Sequence, residues 1–170
     1  MMFLQATRVV PVHLAAAQHR LRGYLHLSGD LGGDAVAAFN EGRAVLGAGP
    51  GWLYKQVLLQ SLRPFVDGYA TIVQLRWVAT GPTTSLVPIM DANLELRASD
   101  ADGSRLTFHG SYRPPLGKVG AVVDQALLHI VAQATADAFL TRVASALSNP
   151  GAAQDATTAE AAATAPPWFP

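Results

Sequence analysis

The stretch YRPPLGKVGAVVDQALLHIVAQA, residues 112–134, decides the fold. It opens as the end of a strand, breaks at Pro114 and Pro115, and continues as an apolar helix. Pro115 suits a first helical turn, where its missing N–H does no harm. Gly117 and Gly120 let the start of the helix approach a sheet closely. At about 100° per residue, one stripe is expected to carry Val119, Gly120, Val123, Leu127, Ile130, Val131, Ala134 and Ala138. Lys118, Gln125, His129 and Gln133 are expected opposite. The pattern runs on to residue 147, so the helix is on the order of 45 Å long, enough to cross a whole sheet.

Working back from this helix, the chain reads as a series of strands. Residues 104–113 alternate, with Leu106, Phe108 and Tyr112 opposing Arg105, His109 and Arg113. In 86–98, Met90, Leu94 and Leu96 oppose Asn93, Glu95 and Arg97. In 69–80, Val73, Leu75 and Trp77 oppose Gln74 and Arg76, and a further strand is expected at 52–62. Such alternation means one covered face and one wet face. The connectors RPFVDG, TGPTTS and SDADGS are short and two contain Asp-Gly, so neighbouring strands should pair as an antiparallel meander. Ahead of them come a strand at 3–12, a helix at 14–25, a break at SGDLGGD, and a second helix capped by Asp34. The fold class is therefore α+β, a curved antiparallel sheet wrapped around a long C-terminal helix, with two short helices after the first strand.

Two stretches carry a resemblance. LRWVATGPTTSLVPIMDANLEL (75–96) and GSYRPPLGKVGAVVDQALLHIVAQATADAFLTRVASAL (110–147) are similar to members of the SRPBCC superfamily. This is the helix-grip fold of START-like lipid binders, birch-pollen-type allergens and polyketide cyclases. The resemblance spans residues 1–147 in element order and is most specific in the strand that ends Y-x-P-P-x-G-x-x-G and enters a helix. One departure is the strand count, with four strands after the helix pair where the family usually has six. The resemblance implies an apolar cavity between sheet and helix. It does not choose among carrying a ligand, cyclising a polyketide and regulating a partner.

Composition narrows the classes further. Half of the 170 residues are hydrophobic, only 14% are charged, and the formal net charge is zero. Arg8, Arg43, Arg76, Arg97 and Arg113 are scattered singly, without the basic stripe of a nucleic-acid binder. There is no cysteine, which excludes disulfides, thiolate metal sites and cysteine nucleophiles. No run approaches the roughly 18 apolar residues of a membrane span. The start, MMFLQATRVV, lacks the pattern of a secretory signal, and arginine far outnumbers lysine, so a bacterial cytoplasmic protein is expected. Residues 148–170 contain only small and polar side chains until Trp168 and Phe169, and read as a flexible tail after a single domain at 1–147.

Motifs for chemistry are scarce. His13, His19, His26, His109 and His129 show no zinc-binding spacing, GAGPGWLYK fails the phosphate-loop pattern, and DLGGD fails the calcium-loop pattern. No metal and no cofactor is expected, and no catalytic residue is assigned. Asp91 would face inward only if a bulge followed Pro88. The expected ligand-binding wall is Tyr54, Val73, Leu75, Trp77, Met90, Phe108 and Tyr112 from the sheet, with Val123, Leu127 and Val131 from the helix. Tyrosines there would orient a ligand through their hydroxyls. On this reading the partner is a small hydrophobic molecule of lipid, sterol or polyketide type, bound or carried. A cyclase-like or hydratase-like enzyme is the first alternative, and a partner-binding module with a filled core is the second.

Overall fold

A computed structural model of the chain describes residues 1–26, 28–45, 56–61, 64–67, 69–80, 89–99, 102–112 and 121–149. The element order is β1 (Met2–Val10), α1 (Leu14–His26), α2 (Ser28–Ala44), β2 (Gln56–Ser61), β3 (Phe65–Asp67), β4 (Ala70–Thr80), β5 (Met90–Ala98), β6 (Ser104–Tyr112) and α3 (Ala121–Ser148). The strands form one antiparallel sheet in the order β1-β6-β5-β4-β2, and short β3 also pairs with β4. This is the α+β helix-grip arrangement: an antiparallel sheet with the long C-terminal helix on its inner face. The meander expected from Asp-Gly connectors is present at β5–β6, where Asp102 takes φ 52° just before Gly103. Asp tolerates this left-handed conformation better than most side chains.

Alternation fixes which face each strand buries. On β6, Leu106, Phe108 and Tyr112 are buried while Arg105 and His109 are exposed. On β5, Met90, Ala92, Leu94 and Leu96 are buried. On β4, Val73, Leu75 and Trp77 are buried. Register then aligns the inward residues into rows across the sheet. Met2, Tyr112, Met90, Trp77 and Leu59 make one row, and Leu4, Gly110, Ala92 and Leu75 make the next. Ala6, Phe108, Leu94 and Val73 follow.

Three side-chain contacts set the course of α3. His129 lies over Tyr112, Gln133 Nε2 donates to the Gln5 carbonyl at 3.0 Å, and Arg8 pairs with Asp137 at 3.3 Å. Helix numbers rise as β1 numbers rise, so α3 runs parallel to β1 along the edge of the sheet. Its far end is held by α1: Arg20 Nη1 donates to the carbonyls of Leu147, at 2.7 Å, and Ser148, at 3.2 Å. These last-turn carbonyls have no partner within the helix, and a cation suits this end of the helix dipole.

The second helix departs from expectation. SGDLGGD does not break the chain but lies within α2, and Asp34 is not its cap. Leu31, Ala35, Ala38, Phe39 and Gly42 are buried along this helix. The Tyr24 hydroxyl donates to the Asp34 carboxylate, and Arg142 of α3 approaches Asp34 at 3.7 Å. Burial and these bonds outweigh the helix propensity that each glycine loses, about 1 kcal/mol relative to alanine. Gly42 is where α2 meets α3. A Cβ there would overlap the Thr135 hydroxyl and stand 2.8 Å from both the Thr135 nitrogen and the Val131 carbonyl oxygen.

The face of α3 also departs from expectation. Val131, Thr135, Ala136, Phe139, Leu140, Val143 and Leu147 are buried, while Leu127 is 39% exposed and Ile130 is 45% exposed. The buried arc is turned by roughly 160° from the expected stripe, at 100° per residue, so it lies on the side where His129 was expected to face solvent. The helix packs on α2 as well as on the sheet, and the bulky Phe139, Leu140, Val143 and Leu147 fix its rotation. The small residues Ala134 and Ala138 do not. Among the described residues, no helix is long and apolar enough to cross a membrane.

Candidate functional site

The candidate site is the end of the sheet–helix interface where β6 finishes. Its floor is the row Met2, Tyr112, Met90, Trp77 and Leu59. Tyr112, Met90 and Trp77 are 2%, 7% and 4% exposed, and Met2 and Leu59 are half-buried. Its roof is the first described part of α3. The inward arc is covered completely at Phe139, Leu140, Val143 and Leu147, yet Leu128 and His129 on the same arc are only half-buried. The inward arc of the helix is therefore less fully covered toward its start, although Tyr112, Met90 and Trp77 beneath it stay buried.

One polar pair stands at this end of the interface. The Tyr112 hydroxyl lies 3.4 Å from His129 Nδ1, and the rings stack at 6.5 Å between centroids and 21° between planes. Burial pushes the Tyr112 phenol above its ordinary range, because the phenolate would lose hydration. The hydroxyl thus stays protonated at neutral pH. It can donate to a bare imidazole nitrogen or accept from an N–H.

Beyond this pair the interface is closed by aromatic packing. Phe139 meets Trp77 edge to face, with ring centroids 5.2 Å apart at 83°, and meets Phe108 at 6.1 Å and 70°. Gly110 in the second row makes room for the Phe108 ring and the Met90 side chain. A Cβ on Gly110 would stand 2.9 Å from Phe108 Cε1 and 3.3 Å from Met90 Sδ. Trp77 carries the one unusual feature of this packing: its indole Nε1–H is buried with no hydrogen-bond partner. A buried unsatisfied donor costs about 1–3 kcal/mol, and the face of an aromatic ring is only a weak acceptor.

The outer face is different in kind. A depression of about 600 Å³ there is bordered by Phe3, Gln74, Arg76, Asp91, Asn93 and His109. Arg76 donates to Asp91 through Nε at 2.6 Å and through Nη2 at 3.1 Å. This hydrogen bond holds the Asp91 carboxyl below the ordinary carboxylate range. Asp91 follows the regular strand register opposite Arg76, so no bulge turns it inward. A second depression of about 480 Å³ lies between α2 and α3, beside Asp34, Glu41 and Arg142. Arg142 is tied there to both carboxylates. Among the described residues, no cluster of histidine, aspartate or glutamate could hold a metal ion.

Of the residues expected to line a cavity, Val73, Leu75, Trp77, Met90, Phe108 and Tyr112 are buried in the core between sheet and helix, whereas Val131 is buried where α3 meets α2 at Gly42. They do not form one wall. Trp77, Met90 and Tyr112 share the terminal row, whereas Phe108 and Val73 lie two rows deeper. Leu127, expected inward, is on the exposed side of α3 for the rotational reason given above. Tyr54, the side chain of Val123, residues 113–120 and the tail with Trp168 and Phe169 lie outside the described residues. His129 and Phe139 were not expected here. The spacing Phe139, Leu140, Val143, Leu147 was the available signal, since an arc centred on it turns His129 inward.

No protein-family model matches the chain. No curated protein matches it. Solved structures similar in chain path include the Zhui aromatase/cyclase from Streptomyces sp. R1128, with 12% identity over 88% of this chain and 95% of that one, at a TM-score of 0.47. A hypothetical protein from Helicobacter pylori is 12% identical over 82% of this chain and 86% of its own, at a TM-score of 0.42. The protein Ara h 8.0201 is 11% identical over 86% of this chain and 97% of its own, at a TM-score of 0.37. Likeness at this level leaves function to be argued from the site itself.

Proposed function

We propose that this protein binds or carries a small hydrophobic molecule between the sheet and α3, at the end bounded by Tyr112, Met90, Trp77 and the start of the helix. The observation that supports this is the thinning of cover along one helical arc. Leu128 and His129 are half-buried where the same arc is fully buried further on, above a sheet row that remains apolar. An apolar floor with one polar pair at its edge suits a ligand that is mostly hydrocarbon with a single polar end. Affinity would come from apolar burial, at about 25 cal/mol per Å². The Tyr112 hydroxyl would set orientation.

A second reading has its own support. The Tyr112–His129 pair places two proton-bearing groups 3.4 Å apart at the edge of the apolar floor. An enzyme of cyclase or hydratase type could use such a pair to hold and move a proton at a bound substrate.

Native mass spectrometry of the protein purified from its own host, followed by solvent extraction, tests the binding reading. A defined hydrophobic species at near-unit stoichiometry is expected. An apo mass that does not shift with fatty acids, sterols or polyketides would overturn it. The packing of Phe139 on Trp77 and Phe108 would then describe a filled core, and the protein would be a partner-binding module.

A further inference from the structure

Trp77 sits in the terminal inner row, 4% exposed, with its indole N–H unpartnered. The nitrogen is sealed from bulk solvent and no protein acceptor reaches it. Buried donors in folded proteins are nearly always paired, and an orphan needs a reason. The neighbours across the sheet are Met90 on one side and Leu59 on the other, and Phe139 packs on the ring. None offers a strong acceptor. Met90 has three rotatable side-chain bonds and is the neighbour best able to give way.

We infer that the ligand is a neutral, largely apolar molecule carrying a carbonyl-type oxygen, and that this oxygen accepts a hydrogen bond from Trp77 Nε1–H. The inference rests on the binding reading above and narrows its ligand class. Neutrality follows from the surroundings. The described inward side chains of β4, β5 and β6 include no charged residue: Thr71, Ser104 and Tyr112 are their polar members, and the rest are apolar. An anion beside Trp77 would find no charged partner among these sheet side chains, which is strongly unfavourable. A pure hydrocarbon would leave the donor unsatisfied. A carbonyl oxygen, uncharged and a good acceptor, meets both conditions.

The test compares two probes of matched shape, 2-acetylnaphthalene and 2-isopropenylnaphthalene, which differ by C=O against C=CH2. Wild-type protein should bind the ketone about tenfold more tightly, the worth of one net hydrogen bond. In Trp77→Phe, which keeps an aromatic ring and removes the N–H, the preference should vanish. The indole N–H resonance of Trp77, followed in 15N-labelled wild-type protein, should move downfield with the ketone and not with the alkene. This reading stands even if the variant fails to fold. Equal affinity of the two probes, no ketone-specific shift, or a preference that survives in Trp77→Phe would overturn the inference while leaving a hydrophobic site in place. If neither probe binds, the binding reading itself fails and takes this inference with it.

Discussion

The Tyr112 hydroxyl and His129 Nδ1 face each other at 3.4 Å, one from the last residue of β6 and the other two turns into α3. Eight residues outside the described structure lie between these elements. The contact therefore ties the end of the sheet to the helix that covers it.

Burial of Tyr112 makes a pH prediction. Its phenol is pushed up by desolvation, so the folded state favours the protonated form. Its contribution is fully present below the ordinary tyrosine value of about 10 and is lost as pH rises through the raised value. Urea midpoints for wild type and Tyr112→Phe should therefore converge or cross on going from neutral to alkaline pH. A constant difference over that range would mean that the phenol is not buried.

Gly42 permits the α2–α3 contact. Gly42→Ala would press a methyl group into the Thr135 hydroxyl and two backbone atoms 2.8 Å away. Overpacking of this kind costs about 1–3 kcal/mol or more. Adding Thr135→Ala should recover only part of the loss, since the backbone atoms remain. Urea denaturation of the single and double variants checks both statements.

Gly110→Ala should cost less than Gly42→Ala. Its new methyl would meet the ends of two side chains, Phe108 Cε1 and Met90 Sδ, rather than backbone. Side chains can turn aside where backbone cannot. The order of the two denaturation midpoints is the measurement, and a reversed order would contradict the packing described here.

Phe139 joins the helix to two inner rows through Trp77 and Phe108. Phe139→Ala should lose about 3–5 kcal/mol and weaken the near-ultraviolet circular dichroism of the aromatic cluster. Phe139→Leu, which leaves a smaller void, should lose less.

Leu127 and Val143 separate the two possible rotations of α3. Leu127 is 39% exposed and Val143 is 0% exposed. Leu127→Arg should fold with stability within about 0.5 kcal/mol of wild type, as surface changes do. Val143→Arg buries an unpaired charge and should prevent native folding. The stripe expected from residues 119–138 predicts that Leu127→Arg is itself disruptive, so a thermal melt of this one variant decides between them.

By itself the sequence determined the class of this protein. Period-two alternation set the buried face of β4, β5 and β6, because successive side chains on a strand must point to opposite faces. Asp-Gly chemistry marked the β5–β6 turn, and the apolar run after residue 112 announced the covering helix. Local pattern was enough for these because strand geometry leaves one choice of face. Two features escaped it. The segment SGDLGGD reads as a break by propensity, yet it is helical because Leu31 finds a buried place and Asp34 accepts a hydrogen bond from Tyr24. The helix α3 is apolar nearly all round, so its own sequence defines its rotation weakly. Contact with α2 at Gly42 and insertion of Phe139 between Trp77 and Phe108 decide it. That rotation brings His129 to Tyr112, and the register across β2, β4, β5 and β6 places Trp77 in the same row. The candidate site is a product of packing between distant segments, and only the tertiary structure could assemble it.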